Sequence, residues 1–231
     1  MKPDQLPLAM RWPAQQRFET FHVGDNGPAL DLARRVSTGA AESWVFVSGT
    51  AASGKTHLLI AACAQASSVG RRAQYLSLRS AIGDVPGMIR QLGGSDLLAL
   101  DDIDAVAGNG EAEHALFDLY NRCKVEKCAL LFAASRIPAQ LGIGLPDLVS
   151  RLSACAQAPL KALSDEARRA VLRERAAARG IVLDDAALDW LFARTERDLA
   201  SLTALLDRLD RESLAAKRRV TVPFLRKLLA S

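Results

Sequence analysis

Residues 49–56 read Gly-Thr-Ala-Ala-Ser-Gly-Lys-Thr, a complete match to GxxxxGK[ST], and this octapeptide restricts the fold more than any other stretch of the chain. In such a loop, glycines let the backbone curl until its N–H groups face phosphate oxygens. The lysine reaches the outer phosphates, and the Ser/Thr hydroxyl ligates Mg²⁺. The geometry works between a strand and a helix, whose positive N-terminal end adds to the field. Both flanks are present. Residues 43–48 (SWVFVS) form a short apolar strand. A helical pattern runs from 54 to about 67, with Leu58, Leu59, Ala62 and Ala66 on its inner face. Gly49, Thr50, Ala51, Ala52, Ser53, Gly54, Lys55 and Thr56 are therefore assigned to a nucleotide's phosphates, with His57 next on the helix included in the set.

Apolar segments elsewhere alternate in period. Strands are expected at 73–78, 97–100 and 128–134, and helices near 30–36, 81–92 and 111–124. Strands alternating with helices indicate an α/β fold, a mainly parallel sheet covered by helices on both faces. After Pro159 the strands stop. Ser164 is a suitable N-cap, Asp165 and Glu166 fall in the first turn where the helix dipole favours acids, and Gly180 is a suitable C-cap. Three more helices fit near 185–194, 197–217 and 221–229. The expected organisation is a mobile arm at 1–16 with three prolines, an α/β nucleotide-binding domain at 17–160, and a small all-helical lid at 161–231.

The strand Leu97-Leu-Ala-Leu ends in Asp101-Asp102, at the sheet edge where folds of this type bind ligands. Asp101 is expected in the Mg²⁺ shell, and Asp102 is placed to orient or activate an attacking water. A solvated turn or helix cap is the bland alternative, outweighed by the loop upstream. Ser135 ends the next strand, between the two motifs, where a hydroxyl can position a water weakly.

Charge and cysteine content remove other classes. Residues 1–160 carry 15 basic and 15 acidic side chains, while 161–231 carry 15 against 11, so the net +4 lies wholly in the lid. A basic lid suits nucleic acid or an acidic partner, but equally a solvated helical surface. Cys63, Cys123, Cys128 and Cys155 have neither zinc-site nor disulfide-framework spacing and read as core residues. No apolar run approaches the ~18 residues that span a bilayer. The N-terminus lacks the apolar stretch of a secretory signal, so a cytoplasmic protein without membrane contact is expected.

Together, the phosphate loop, the Asp-Asp strand, the polar terminus of the following strand and the helical lid resemble the AAA+ ATPases. Phe18-Glu-Thr-Phe21 with Gly24-Asp25-Asn26 is similar to the base-binding lead-in segment of DnaA-type initiators, which adds Phe21 to the nucleotide-binding set. Residues 115–121 (ALFDLYN), 145–152 (LPDLVSRL), 206–211 (LDRLDR) and 220–224 (VTVPF) resemble the same clade. A full initiator continues into a helix-turn-helix DNA-binding domain, whereas this sequence stops at Ser231, after the lid. The whole length therefore resembles the Hda family, the DnaA-homologous regulatory inactivators of DnaA. Gln5-Leu6-Pro7-Leu8 looks like the peptide with which that family docks on the β sliding clamp of DNA polymerase III, with Gln5, Leu6 and Leu8 as the contacts.

The resemblance implies a clamp-bound, nucleotide-loaded AAA+ regulator of replication initiation that stimulates ATP hydrolysis on the initiator DnaA. Contact with DNA would be indirect, through the clamp, and a homo-oligomer is allowed. It also implies that Arg151 is an arginine finger reaching a neighbouring subunit's nucleotide, a role its guanidinium suits. A helix-end cation is the structural alternative. Two positions depart from the family. Its lid arginine falls on Ala200, so Arg197, one turn earlier, either substitutes or faces solvent. Ser135 stands where a stronger polar or acidic sensor is expected. Binding of ADP or ATP with Mg²⁺ is thus a firmer expectation than hydrolysis by this chain. The rival reading is an autonomous AAA+ ATPase of the helicase-loader or chaperone-like remodelling kind.

Overall fold

The computed structural model describes residues 12–41, 44–81, 83–194 and 206. The chain divides into two compact units, Met1–Lys161 and Ala162–Ser231, each described by itself.

In the first unit, five strands form one parallel sheet: β1 (Val45–Ser48), β2 (Ala73–Ser77), β3 (Leu97–Asp101), β4 (Ala129–Ala134) and β5 (Ala156–Pro159), in the order β2-β3-β4-β1-β5. The helices are α1 (Gly27–Thr38), α2 (Lys55–Ser68), α3 (Val85–Gln91), α4 (Gly110–Glu126) and α5 (Pro146–Ser153), with short 3-10 turns at Phe18–Thr20, Ile103–Val106 and Pro138–Gln140. The central strands are apolar throughout, yet they sort their side chains by period two. Val45, Val47, Leu97, Ala99, Leu131 and Ala133 pack with α1 and α2. Phe46, Leu98, Leu100, Leu130 and Phe132 pack with α3, α4 and α5 on the other face. The alternating α/β pattern is thereby realised as a sheet sandwiched between helices.

The four strands expected from apolar runs are all present, and β5 is an addition. Its sequence, Ala-Gln-Ala-Pro, buries only Ala158 and carries no apolar run. It exists as a strand because it pairs with β1, Val45 opposite Ala156 through Ser48 opposite Pro159. An edge strand tolerates proline, which removes one ladder donor. The helix expected at 81–92 is shorter, starting at Val85, because Asp84 caps it by accepting from the Gly87 N–H at 2.8 Å. All four cysteines are free thiols and buried. Burial alone pushes Cys63 and Cys155 up to about 12, which keeps them protonated and inert.

The second unit shows α6 (Asp165–Ala177) and α7 (Asp185–Arg194). Ser164 caps α6 by accepting from the Ala167 N–H at 3.1 Å, at the position expected; the helix ends at Ala177 with Ala178 as its C-cap, so Gly180, expected as the C-cap, instead takes φ 70° in the turn that follows. Leu172, Ala176, Ile181, Leu183, Leu188 and Leu191 belong to a core of this unit's own, so it does not depend on the sheet for a hydrophobic interior. The helices expected at 197–217 and 221–229 lie outside the described residues. Among the described residues, no helix is long and apolar enough to cross a membrane.

Candidate functional site

The strand order places β1 beside β4 and β3 beyond it, so the loop after β1, Ser135 after β4 and the acids after β3 share one edge of the sheet. That edge collects the carboxyl ends of parallel strands, where ligands of open α/β sheets bind.

The phosphate loop is shaped by contacts that exclude larger residues. A Cβ on Gly49 would lie 2.5 Å from Ser53 Oγ and 2.9 Å from the Leu160 carbonyl oxygen. Gly54 has φ 98°, and a Cβ there would meet the Phe21 ring at 3.0 Å. Only glycine fits either position. Helices α3, α4 and α6 start with side-chain caps, whereas α2 starts at Gly54 without one. Its first N–H groups therefore point into the loop unclaimed by any side-chain cap, the arrangement that receives a phosphate. Ser53 Oγ is buried within the loop, and no hydrogen-bond partner is found for it among the described residues. Both features fit an anionic ligand seated in the curl.

Lys55 Nζ donates to the Gly49 and Thr50 carbonyls at 2.7 and 2.9 Å, which lays the ammonium across the mouth of the loop. Desolvation lowers its pKa below the usual lysine value, opposed by the charges of Asp101, Asp104 and Asp102. Thr56 Oγ1 donates to Asp101 Oδ2 at 2.5 Å, joining the loop to β3. Asp101 also accepts from the Tyr75 hydroxyl at 3.1 Å and from the Asp102 N–H at 2.9 Å. Burial raises the Asp101 pKa, and these donors partly offset that. Hydroxyl and carboxylate oxygens are hard donors suited to Mg²⁺, which takes few protein ligands.

Asp102 and Ser135 meet partners within the unit. Asp102, at φ 57°, accepts from Ser77 Oγ at 2.8 Å and pairs with Arg79 at 3.4 Å. A carboxylate so engaged is a poorer water-orienting group. Ser135 turns its hydroxyl to Asp104, whose carboxylate also accepts the Ser135 N–H at 2.9 Å. Asp104 thus brings an acid to the strand-four terminus from the 3-10 turn after β3, and sequence reasoning missed it. The available signal was Asp-Asp-x-Asp at 101–104, a carboxylate two residues past the pair. Tyr75, Ser77 and Arg79 were missed for another reason: the first two come from β2 and Arg79 from the turn after it, and the place of β2 beside β3 is a matter of pairing.

The lead-in segment packs behind the loop. The Phe21 and His57 rings meet edge to face at 5.3 Å, and His57 Nε2 lies 2.8 Å from the Arg17 carbonyl oxygen. Asn26 is buried and exchanges two hydrogen bonds with the Lys161 backbone, at 2.8 and 3.1 Å, fixing this segment to the end of the sheet unit.

Arg151 lies in the last turn of α5, exposed, with its guanidinium 5.9 Å from the Tyr120 ring centroid. It belongs to a different element from every residue of the phosphate site. Gln5, Leu6, Leu8, Arg197 and Ala200 lie outside the described residues.

Comparison with known proteins agrees with this geometry. Residues 13–158 match the family described as the bacterial DnaA ATPase domain, and residues 165–229 match the Hda lid domain. Domain III of the Thermotoga maritima replication initiation protein DnaA superposes with a TM-score of 0.75 at 20% identity, over 95% of this chain and 98% of that one. AMPPCP-bound DnaA from Aquifex aeolicus gives 0.66 at 23%, over 89% and 69%. The Thermotoga maritima RuvB branch migration motor gives 0.64 at 17%, over 95% and 72%. At these identities the superpositions establish the AAA+ fold.

Proposed function

The chain belongs to the bacterial DnaA ATPase domain family and carries a lid of the Hda type, and from that premise we propose that it is an adenine-nucleotide-binding regulator of replication initiation. Docked on the β sliding clamp through Gln5, Leu6 and Leu8, it stimulates ATP hydrolysis on the initiator DnaA. The observation that carries this reading is an asymmetry. The phosphate loop is complete, while the groups that would manage the attacking water are committed elsewhere, Asp102 to Ser77 and Arg79, and Ser135 to Asp104. Such a site suits holding a nucleotide better than turning it over. Arg151 stands exposed on another element, available to a nucleotide that this chain does not hold.

The roles follow from the groups present. The N–H groups of Gly49 through Thr56 and the Lys55 ammonium bind phosphates, and the Thr56 hydroxyl and Asp101 would hold Mg²⁺. The ion, when bound, neutralises charge between the outer phosphates. Phe21 and His57 support the loop, Phe21 on the side proposed for the base. The catalytic contribution belongs to Arg151, whose guanidinium stabilises charge on DnaA's transferring phosphoryl group.

The test is titration of purified β clamp with the intact chain and with a Gln5→Ala/Leu6→Ala variant, paired with an assay of hydrolysis on ATP-loaded DnaA. Binding and stimulation lost together in the variant is the expected result. Turnover of ATP by the chain alone, unaltered by removing residues 1–10, would instead make it an autonomous ATPase.

A further inference from the structure

Glu113 is 3% exposed, and its carboxylate is spent wholly on backbone. It accepts from the Gly108 N–H at 2.9 Å, the Gly144 N–H at 3.0 Å and the Leu145 N–H at 2.9 Å. Gly108 closes the turn that starts at Asp102, and Gly144 and Leu145 lead directly into α5. One buried carboxylate on α4 therefore ties the end of the acid-bearing segment to the start of the helix that carries Arg151. Gly144 makes the approach feasible, since a Cβ there would already sit 3.4 Å from Glu113 Oε2.

Seven residues on, two helical turns along the same face of α4, Tyr120 meets the other end of α5. Its ring carries the Arg151 guanidinium at 5.9 Å and is itself braced edge to face by Trp44 at 4.5 Å. Trp44 immediately precedes β1, so the stack rests on the sheet. A cation over a braced aromatic face keeps its charge and its outward-facing donors while losing rotamer freedom. Helix α5 is only eight residues long, too short to hold its own position.

We propose that Glu113 and Tyr120 are positioning residues for Arg151: Glu113 sets where α5 begins, Tyr120 sets where its arginine points, and neither touches a nucleotide. The proposal rests on the reading of Arg151 as a finger acting on a neighbour, and it adds the two groups on which that action depends. Misplacing a reacting group by about 1 Å costs rate up to about a hundredfold while leaving association largely intact.

The experiment uses the full chain with clamp and DnaA carrying labelled ATP, and follows the hydrolysis rate as a function of this chain's concentration. Glu113→Gln and Tyr120→Leu are expected to lower the maximal rate about tenfold. The half-saturating concentration and the affinity for ADP should shift less than about twofold. Tyr120→Phe, which keeps the ring, should match the parent. Amide exchange on the isolated chain supplies a readout independent of DnaA. Glu113→Gln should speed exchange at 144–152 about tenfold, the equivalent of one lost hydrogen bond, with α2 and β1 unchanged. Unchanged exchange at 144–152, or exchange raised evenly over the sheet unit, would overturn the proposal. So would a maximal rate untouched by both variants while Arg151→Ala abolishes it. If Arg151→Ala leaves stimulation intact, the finger reading fails, and exchange at 144–152 alone then decides whether α4 holds α5. Should Glu113→Gln fold poorly, the pair Tyr120→Leu and Tyr120→Phe carries the test.

Discussion

Two cations of the sheet unit are held in opposite ways. Lys55 lies in the phosphate loop, half-buried, donating to Gly49 and Thr50 and surrounded by the charges of Asp101, Asp102 and Asp104. Arg151 is exposed on α5 and rests on an aromatic ring rather than on an acid. The first is oriented inward by its own loop and suits a ligand the chain holds. The second is oriented by another helix and suits a charge arriving from outside. On the proposed function, one cation would serve the nucleotide this chain binds and the other a nucleotide held by its partner.

The sharpest way to break this contrast is to remove each cation and look for crossover. Arg151→Ala should reduce stimulated hydrolysis on DnaA by about a thousandfold, the usual worth of a finger. Calorimetric titration should find ADP affinity unchanged, and a loss of affinity would place Arg151 in the wrong region. Lys55→Ala should do the converse, lowering affinity for ATP and ADP by about a hundredfold through loss of charge-assisted bonds to phosphate.

A smaller effect separates Asp101 from the other acids. Asp101→Asn should remove most of the gain in nucleotide affinity that Mg²⁺ confers, about tenfold. Thermal unfolding should show no loss of stability, because the change removes a charge that burial disfavours. Marked destabilisation would mean that the Thr56 and Tyr75 hydroxyls need the ionised form.

The smallest effect is a pH trend of opposite signs. Burial lowers the Lys55 pKa below 10.5 in the native chain. Between the native and unfolded values the native chain binds fewer protons, so the Lys55 contribution to stability rises with pH. Phosphate affinity falls over the same interval as the ammonium is lost. Nucleotide titrations and unfolding curves taken as pH rises toward 10.5 should diverge, affinity falling while the Lys55 contribution to stability grows. Parallel trends would count against the buried lysine.

The two regions also differ in how they can be found. The phosphate site is written in contiguous residues, because a loop that wraps a phosphate is local: spacing, two glycines and a following helix define it. Asp101 was legible for a related reason, as the first polar residue after an apolar strand. Asp104 escaped because its role depends on β4 lying beside β3, which brings Ser135 to it. Tyr75, Ser77 and Arg79 escaped because β2 had to be paired before its side chains, and Arg79 in the turn after it, could meet the acids. Strand β5 had too few apolar residues to announce itself without β1.

By itself, then, the sequence determined the α/β class, the glycine loop with the carboxylate that its threonine meets, and the N-cap of the second unit's first helix. Each of these depends on hydrophobic period or on backbone geometry within a few residues. Only the tertiary structure decided which partners each acid meets and what holds Arg151. Glu113 joins segments more than thirty residues apart, and the ring under the guanidinium comes from a different helix. A buried carboxylate and an aromatic brace carry no local signature, since their meaning lies in what folding places against them.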